Sequence, residues 1–229
     1  MPSFDDSEFG KIMVRRSSRA RSMKATVAPT GELRISLPSY VPLFMAKRMV
    51  ATSRQDIRNL LKAVRPALTL QDGMQIGKSH TLHIRQGSAY SLKRSGQQLI
   101  LTLADSISLS DPTIVSDARS MITATLRKEA KHHLPWRLEH LAGVHGFTYA
   151  SVRFTHASSR WGSCNQNKAI SLNIALMNLP FELIDYVLIH ELAHTKHLNH
   201  STSFWSTVEN ADSNYKIHRK QLKQYSPHV

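Results

Sequence analysis

The run DYVLIHELAH, residues 185–194, sets two histidines and a glutamate in the pattern HExxH within an otherwise apolar stretch. Pro180 stands where a helix's first position favours proline, and FELIDYVLIHELAHTKHL (181–198) has the apolar spacing of a buried helix. On that helix the imidazoles of His190 and His194 are about 40° apart around the axis and about 6 Å apart along it. Both nitrogens can therefore meet one metal ion. Glu191 lies on the flank of the same face, where its carboxylate reaches a water activated by that metal.

A catalytic zinc takes three protein ligands and keeps a fourth position open. His200, beyond a turn expected at Asn199 and His200, is the favoured third donor. Glu209, on the next expected helix, and His197, on the same helix as His194, are the alternatives. The spacing HExxHxxxxxH is also that of metzincins. Here, however, residue 197 is His where those carry Gly, and no methionine follows Met177 to form their Met-turn. The bland reading of the motif is an amphipathic helix whose imidazoles are only solvated or hydrogen-bonded.

Charge is the second constraint. Among 229 residues, 30 Lys and Arg face 16 Asp and Glu, a net charge of +14. That surplus attracts polyanions without specifying a fold. Seven of the cations (Lys11, Arg15, Arg16, Arg19, Arg21, Lys24 and Arg34) lie in the front of the chain against Glu32 alone, and Lys216, Arg219, Lys220 and Lys223 cluster near its end. Weak, salt-sensitive, non-specific binding of nucleic acid is the implied partner property. With no recognition helix or RNA-binding signature, sequence-specific reading is not expected. The single cysteine, Cys164, excludes an internal disulfide and fits a reducing compartment. No stretch approaches the roughly 18 apolar residues of a membrane span, and the acidic start MPSFDDSEFG does not read as a signal peptide. A cytoplasmic protein with no membrane association is the expectation.

The pattern along the chain is α+β: a strand-rich N-terminal region, then a compact catalytic domain around the HExxH helix. Residues 1–10 read as a flexible tail, 11–110 as the strand-rich region and 111–229 as the metal-binding domain, with the break near 105–112. No internal repeat is found. A hairpin is expected around the turn Pro29-Thr30-Gly31, with Leu33, Ile35 and Leu37 alternating behind it. Residues 43–64 have helical spacing, which Pro66 ends. Strands follow at 81–85, 90–92 and 98–103. A helix then starts after Asp111-Pro112, continues past Pro135 to about Leu141, and breaks at Gly143 and Gly146. FTYASVRFTHA (147–157) reads as a strand with Tyr149, Val152 and Phe154 inside, SRWGSCNQNK (159–168) as a turn, and AISLNIALM (169–177) as a further strand. A basic final helix surrounds NYKIHRKQLKQY (214–225).

Five segments taken together, SRWGSC (159–164), ISLN (170–173), DYVLIHELAH (185–194), NHSTSFW (199–205) and YKIHRKQL (215–222), resemble the YgjP-like metallopeptidases. These are compact zincins related to the SprT-like and WLM groups, and the resemblance runs from about Arg15 to Tyr225. It implies zinc held by His190, His194 and His200, with Glu191 as the catalytic acid–base and a peptide or protein as substrate. Family membership names a site rather than what enters it. A metal-dependent nucleotide phosphohydrolase and a DNA-associated protease-like protein therefore stand as alternatives.

Four other residues carry two readings each. Arg160 either anchors a substrate carboxylate or phosphate or pairs with Asp185. Asn173 either binds substrate backbone, as an edge strand does by strand addition, or makes a turn or sheet hydrogen bond. Trp161 and Trp205 are expected to pack against the active-site helix. Cys164, without a CxxC partner, is expected to be a small buried side chain.

Overall fold

The computed structural model describes residues 2–18, 20–27, 32–64 and 68–228. The chain forms two compact units, Met1–Leu68 and Thr69–Val229. This boundary lies well before the break expected near 105–112. The turn expected at Pro29–Gly31 and the stop at Pro66 lie outside the described residues.

In the first unit, β1 (Ser3–Asp6), β2 (Gly10–Ser17), β3 (Lys24–Val27) and β4 (Leu33–Pro38) form a sheet in the order β1-β2-β4-β3. The middle pair is parallel, with Val14 opposite Ile35, and the outer pairs are antiparallel. Alternation places Ile12, Val14, Leu33, Ile35 and Leu37 on the buried face. Against it pack Ala46 and Val50 of α1 (Leu43–Thr52) and Ile57 of α2 (Arg54–Val64). The single helical pattern of 43–64 divides at Ser53. There the Thr52 hydroxyl donates back to the Arg48 carbonyl (3.0 Å), the kind of local bond that competes with helix continuation. The expected tail is also structured: Ser3–Asp6 pairs with β2. Asp6 accepts from Arg54 (3.0 Å) and Glu8 from Arg58, ion pairs about fifty residues apart that no local pattern reveals.

In the second unit, β5 (Gln75–Ile76), β6 (His80–Gln86), β7 (Ser91–Ser95) and β8 (Gln98–Leu103) repeat the same plan in the order β5-β6-β8-β7. Again the middle pair is parallel, with Ile84 opposite Leu101, and the outer pairs are antiparallel. The chain therefore contains a structural repeat that the sequence reading missed. This second sheet belongs with the following helix, α3 (Pro112–His145), because the buried Glu129 carboxylate of α3 accepts from Lys78 N (2.6 Å) and Ser79 N (2.9 Å) and contacts His80 Nδ1 (2.6 Å). That tie moves the unit boundary forward of residues 105–112.

Helix α3 begins with Pro112 behind the cap Asp111, whose carboxylate accepts from Thr113 N (2.7 Å). It absorbs Pro135 and Gly143, and ends only at Gly146, whose φ of 64° is the left-handed cap conformation. Next come β9 (Ser151–Thr155), β10 (Gly162–Cys164) and β11 (Ala169–Asn173), in the order β10-β11-β9, with β9 parallel and β10 antiparallel to β11. The expected turn at 159–168 thus contains a short strand, and Phe147, not Tyr149, is the buried aromatic of its segment. A 3-10 turn (Ile174–Asn178) leads to α4 (Phe181–Ala193), α5 (Thr202–Ala211) and α6 (Tyr215–Leu222). Among the described residues no helix is long and apolar enough to cross a membrane. Parts of the basic runs are engaged: Arg16 donates to the Ser39 carbonyl (2.7 Å), and Lys216 lies 3.6 Å from Glu209.

Candidate metal centre

Helix α4 buries Leu188 and Leu192 fully, leaves Phe181 of its first turn exposed, and stops with His194 at its C-cap. The expected helix to Leu198 is therefore shorter; residues 194–196 continue as a turn, with Thr195 N bonded to the Leu192 carbonyl and His197 N to that of Ala193 (both 3.0 Å). The turn carries the His197 carbonyl back to His194 Nδ1 at 3.0 Å. With Nδ1 donating there, His194 Nε2 keeps its lone pair for another partner. The Ser201 hydroxyl then caps α5 by accepting from Phe204 N (3.3 Å), so the chain reverses directly after His200.

This reversal brings three imidazoles together. The centroids of His190 and His194 are 4.9 Å apart, and His200 is 5.0 Å and 4.8 Å from them. His190 Nε2 and His200 Nε2 are 3.1 Å apart, and one nitrogen from each of the three rings lies within 4.8 Å of the others. Beneath them sits Phe204, with 0% exposure and centroids 4.9, 4.5 and 4.8 Å from His190, His194 and His200. Trp205 lies beside His200, centroids 5.6 Å apart and planes 23° apart. The segment NHSTSFW marks no role for Phe204 by itself; the signal it carries is an aromatic pair three residues into a capped helix right after a histidine.

The electrostatics favour neutral rings at His190 and His194. Burial pushes the His190 imidazole down to about 3, helped by the charges of His194, His200 and Arg219. Burial also lowers His194, against the opposing bond from the His197 carbonyl. Glu191 is 5% exposed, its Oε2 is buried without a hydrogen-bond partner among the described residues, and burial pushes its carboxyl up to about 8 while the charge of Arg160 draws it down. Gly162 of β10 faces this carboxyl so closely that an added Cβ would stand 2.6 Å from Oε1. The glycine of WGSC is thus a steric requirement of Glu191.

The other candidates are placed elsewhere. Glu209 is exposed on α5, against Lys216. His197 turns its Nε2 to the Thr207 hydroxyl (3.1 Å). Arg160 does not pair with Asp185; that carboxylate is held by both arms of Arg137 at 2.7 and 2.6 Å. Arg160 is exposed, and its carbonyl accepts from Asn173 Nδ2 (3.0 Å). Asn173 is 1% exposed and fully occupied: Nδ2 also donates to Ala157 O (2.7 Å) and Pro227 O (3.2 Å), Oδ1 accepts from Ala175 N, and its own N–H goes to Trp161 O (2.8 Å). These contacts describe the plainer of its two roles, a clamp on the 157–161 segment. Cys164 is half-buried, and burial with the Glu191 charge pushes its thiol up, so it is poorly suited to nucleophilic work.

The chain matches the family model described as YgjP-like, metallopeptidase domain, over residues 21–225. Among solved structures it is similar to the metallopeptidase zymogen of Pyrococcus abyssi abylysin, at 31% identity over 38% of this chain and 90% of that one, with a TM-score of 0.36. No curated protein matches it.

Proposed function

The chain belongs to the YgjP-like metallopeptidase family, and from that premise we propose that it is a zinc-dependent peptidase in which His190, His194 and His200 hold the ion and Glu191 is the acid–base group. The observation that carries the reading is the approach of two imidazole nitrogens, His190 Nε2 and His200 Nε2, to 3.1 Å. Two nitrogens bound 2.0–2.1 Å from one tetrahedral ion stand about 3.3 Å apart, so the pair fits zinc with little movement. At His190 and His194, burial that favours the neutral ring, together with the bond that fixes the His194 tautomer, suits the same role. Among the described residues the cluster has three donors rather than four, which suits a catalytic rather than a structural ion.

Bound zinc supplies Lewis acidity for the scissile carbonyl and acidifies solvent water. The chain's own residues do the rest. Glu191, sheltered between α4 and the backbone at Gly162, takes the proton of the attacking water on its carboxylate and returns it to the leaving amine. Beside a dication held by the three histidines, the Glu191 carboxyl would be drawn back toward its ionised form, the form a general base needs. Strand β10 is the edge of its sheet, and an extended peptide adds to it there by main-chain hydrogen bonds. Arg160, clamped through its carbonyl by Asn173, offers a cation to a carboxylate of the substrate near Glu191.

The test is Glu191→Gln assayed with elemental analysis. Zinc content stays at the parent level while peptide hydrolysis falls by about 10²–10⁴-fold; undiminished turnover overturns the mechanism. His190→Ala loses the metal as well as the activity. Phosphate release from a nucleotide, in place of peptide cleavage, would transfer the site to phosphoanhydride chemistry.

A further inference from the structure

The three imidazoles are not held alike. His190 lies on α4 and His194 at its C-cap, next to buried side chains, and His194 is further pinned by the His197 carbonyl. His200 stands exposed in the loop before α5. Among the described residues its ring has one hydrogen bond, to His190 Nε2, and that contact gives way if both nitrogens bind an ion. What remains to orient the ring is aromatic packing. Phe204 meets it edge to face at 4.8 Å, and the Trp205 indole lies nearly parallel to it at 5.6 Å.

Trp205 is in turn fixed from α6. Its ring is stacked with Tyr215, centroids 5.5 Å apart and planes 18° apart, and the Arg219 guanidinium carbon is 4.6 Å from its centroid. Tyr215 is buried at the start of that helix. The contacts form a column from α6 through the indole to the most exposed imidazole, and a cation over an indole face is a favourable pairing.

We propose that Trp205 is a positioning residue of the metal site: its indole face, braced by Tyr215 and Arg219, keeps the His200 imidazole turned toward His190 and His194, and so sets metal affinity from outside the ligand set. This rests on the reading that the three histidines hold an ion. Outer groups that orient a ligand commonly alter affinity by about 10–100-fold. A stack without a hydrogen bond belongs at the lower end of that range.

The experiment measures zinc dissociation by competition with a chromophoric chelator for the parent, Trp205→Leu and Trp205→Phe, beside thermal unfolding of each without metal. Trp205→Leu weakens zinc binding by about tenfold, Trp205→Phe restores most of it, and metal-free unfolding does not track that order. Cobalt substitution reads the geometry directly: the visible band of the parent weakens in the leucine variant and returns in the phenylalanine one. A leucine variant that binds zinc within twofold of the parent overturns the proposal. So does a loss that phenylalanine does not restore. A parent that binds no zinc overturns the metal reading itself, a separate outcome. Trp205→Met, a flexible side chain without a ring plane, replaces the leucine variant if that one does not fold and is judged by the same twofold limit.

Discussion

Two sheets on one plan, β1-β2-β4-β3 and β5-β6-β8-β7, are kept in place by different means. Leu33, Ile35 and Leu37 of the first correspond to Leu99, Leu101 and Leu103 of the second, all buried, and each set faces a parallel partner strand. Register matches Val14-Arg15 with Ile84-Arg85 in the parallel pairs, and Ala25 with Leu92 in the outer ones. Yet the first sheet ties its outer strand to α2 through partly exposed ion pairs from Arg54 and Arg58, whereas the second is bound to α3 by the buried Glu129. Only the second belongs to the unit that carries the histidine cluster. Topology alone therefore does not tell how firmly a sheet is anchored; the burial of its polar contacts does.

The largest expected effect comes from Glu129→Ala, which leaves two backbone N–H groups and His80 without their acceptor at a cost of about 3–5 kcal/mol. Hydrogen exchange should lose protection along 80–86 and 98–103 and keep it along 12–17 and 33–38; equal loss in both sheets would break the contrast. Next, Ile35→Ala and Leu101→Ala each remove a fully buried side chain from a central strand, at about 2–5 kcal/mol. Matched costs, each confined to its own sheet, would sharpen the likeness, and a loss in the other sheet would count against it. Gly77→Ala is smaller, about 1–3 kcal/mol, because φ is 62° there and the added methyl lands on the Glu129 carboxylate; an unchanged unfolding midpoint would deny the tight approach.

Arg54→Ala is expected to do least. Its pairs are partly exposed, so the loss shrinks further at high salt. Its signature lies in acid. The Asp6 carboxyl is held below its ordinary value by the Glu8 N–H and by the Arg54 guanidinium. The stability this brings is complete above the usual carboxylate range and is lost as pH falls through it toward the depressed value. Removing Arg54 should flatten that acid-side loss in the first unit and leave the second as it was; an unaltered acid limb would separate Arg54 from the effect.

What could be read from the chain follows sequence distance. HExxH is one helical turn, and NHSTSFW holds a ligand candidate, a cap and two aromatics within seven residues, so the cluster and the family were legible. The mixed α+β order and most strands were legible too, because alternation is a local signal. Helix ends were not: Ser53 divides a pattern that looks continuous, Gly143 is absorbed by α3, and α4 stops at Ala193. Ties between distant residues, namely Arg137 to Asp185, Glu129 to His80 and Asn173 to Pro227, leave no trace in neighbouring residues. The repeat escaped because its likeness lies in strand pairing, with few identities to mark it.

Residue order was sufficient to name candidates for chemistry that acts over one or two turns: which side chains can meet an ion and which carboxylate stands beside them. Tertiary contacts alone decided that the Glu191 carboxyl is buried enough to be pushed up to about 8, that Gly162 of β10 must be small beside it, and that an indole braced by α6 stacks on His200. The physical reason is range. Helical periodicity and capping are written within a few residues, whereas desolvation and charge pairing depend on whichever distant segments the folded chain brings alongside.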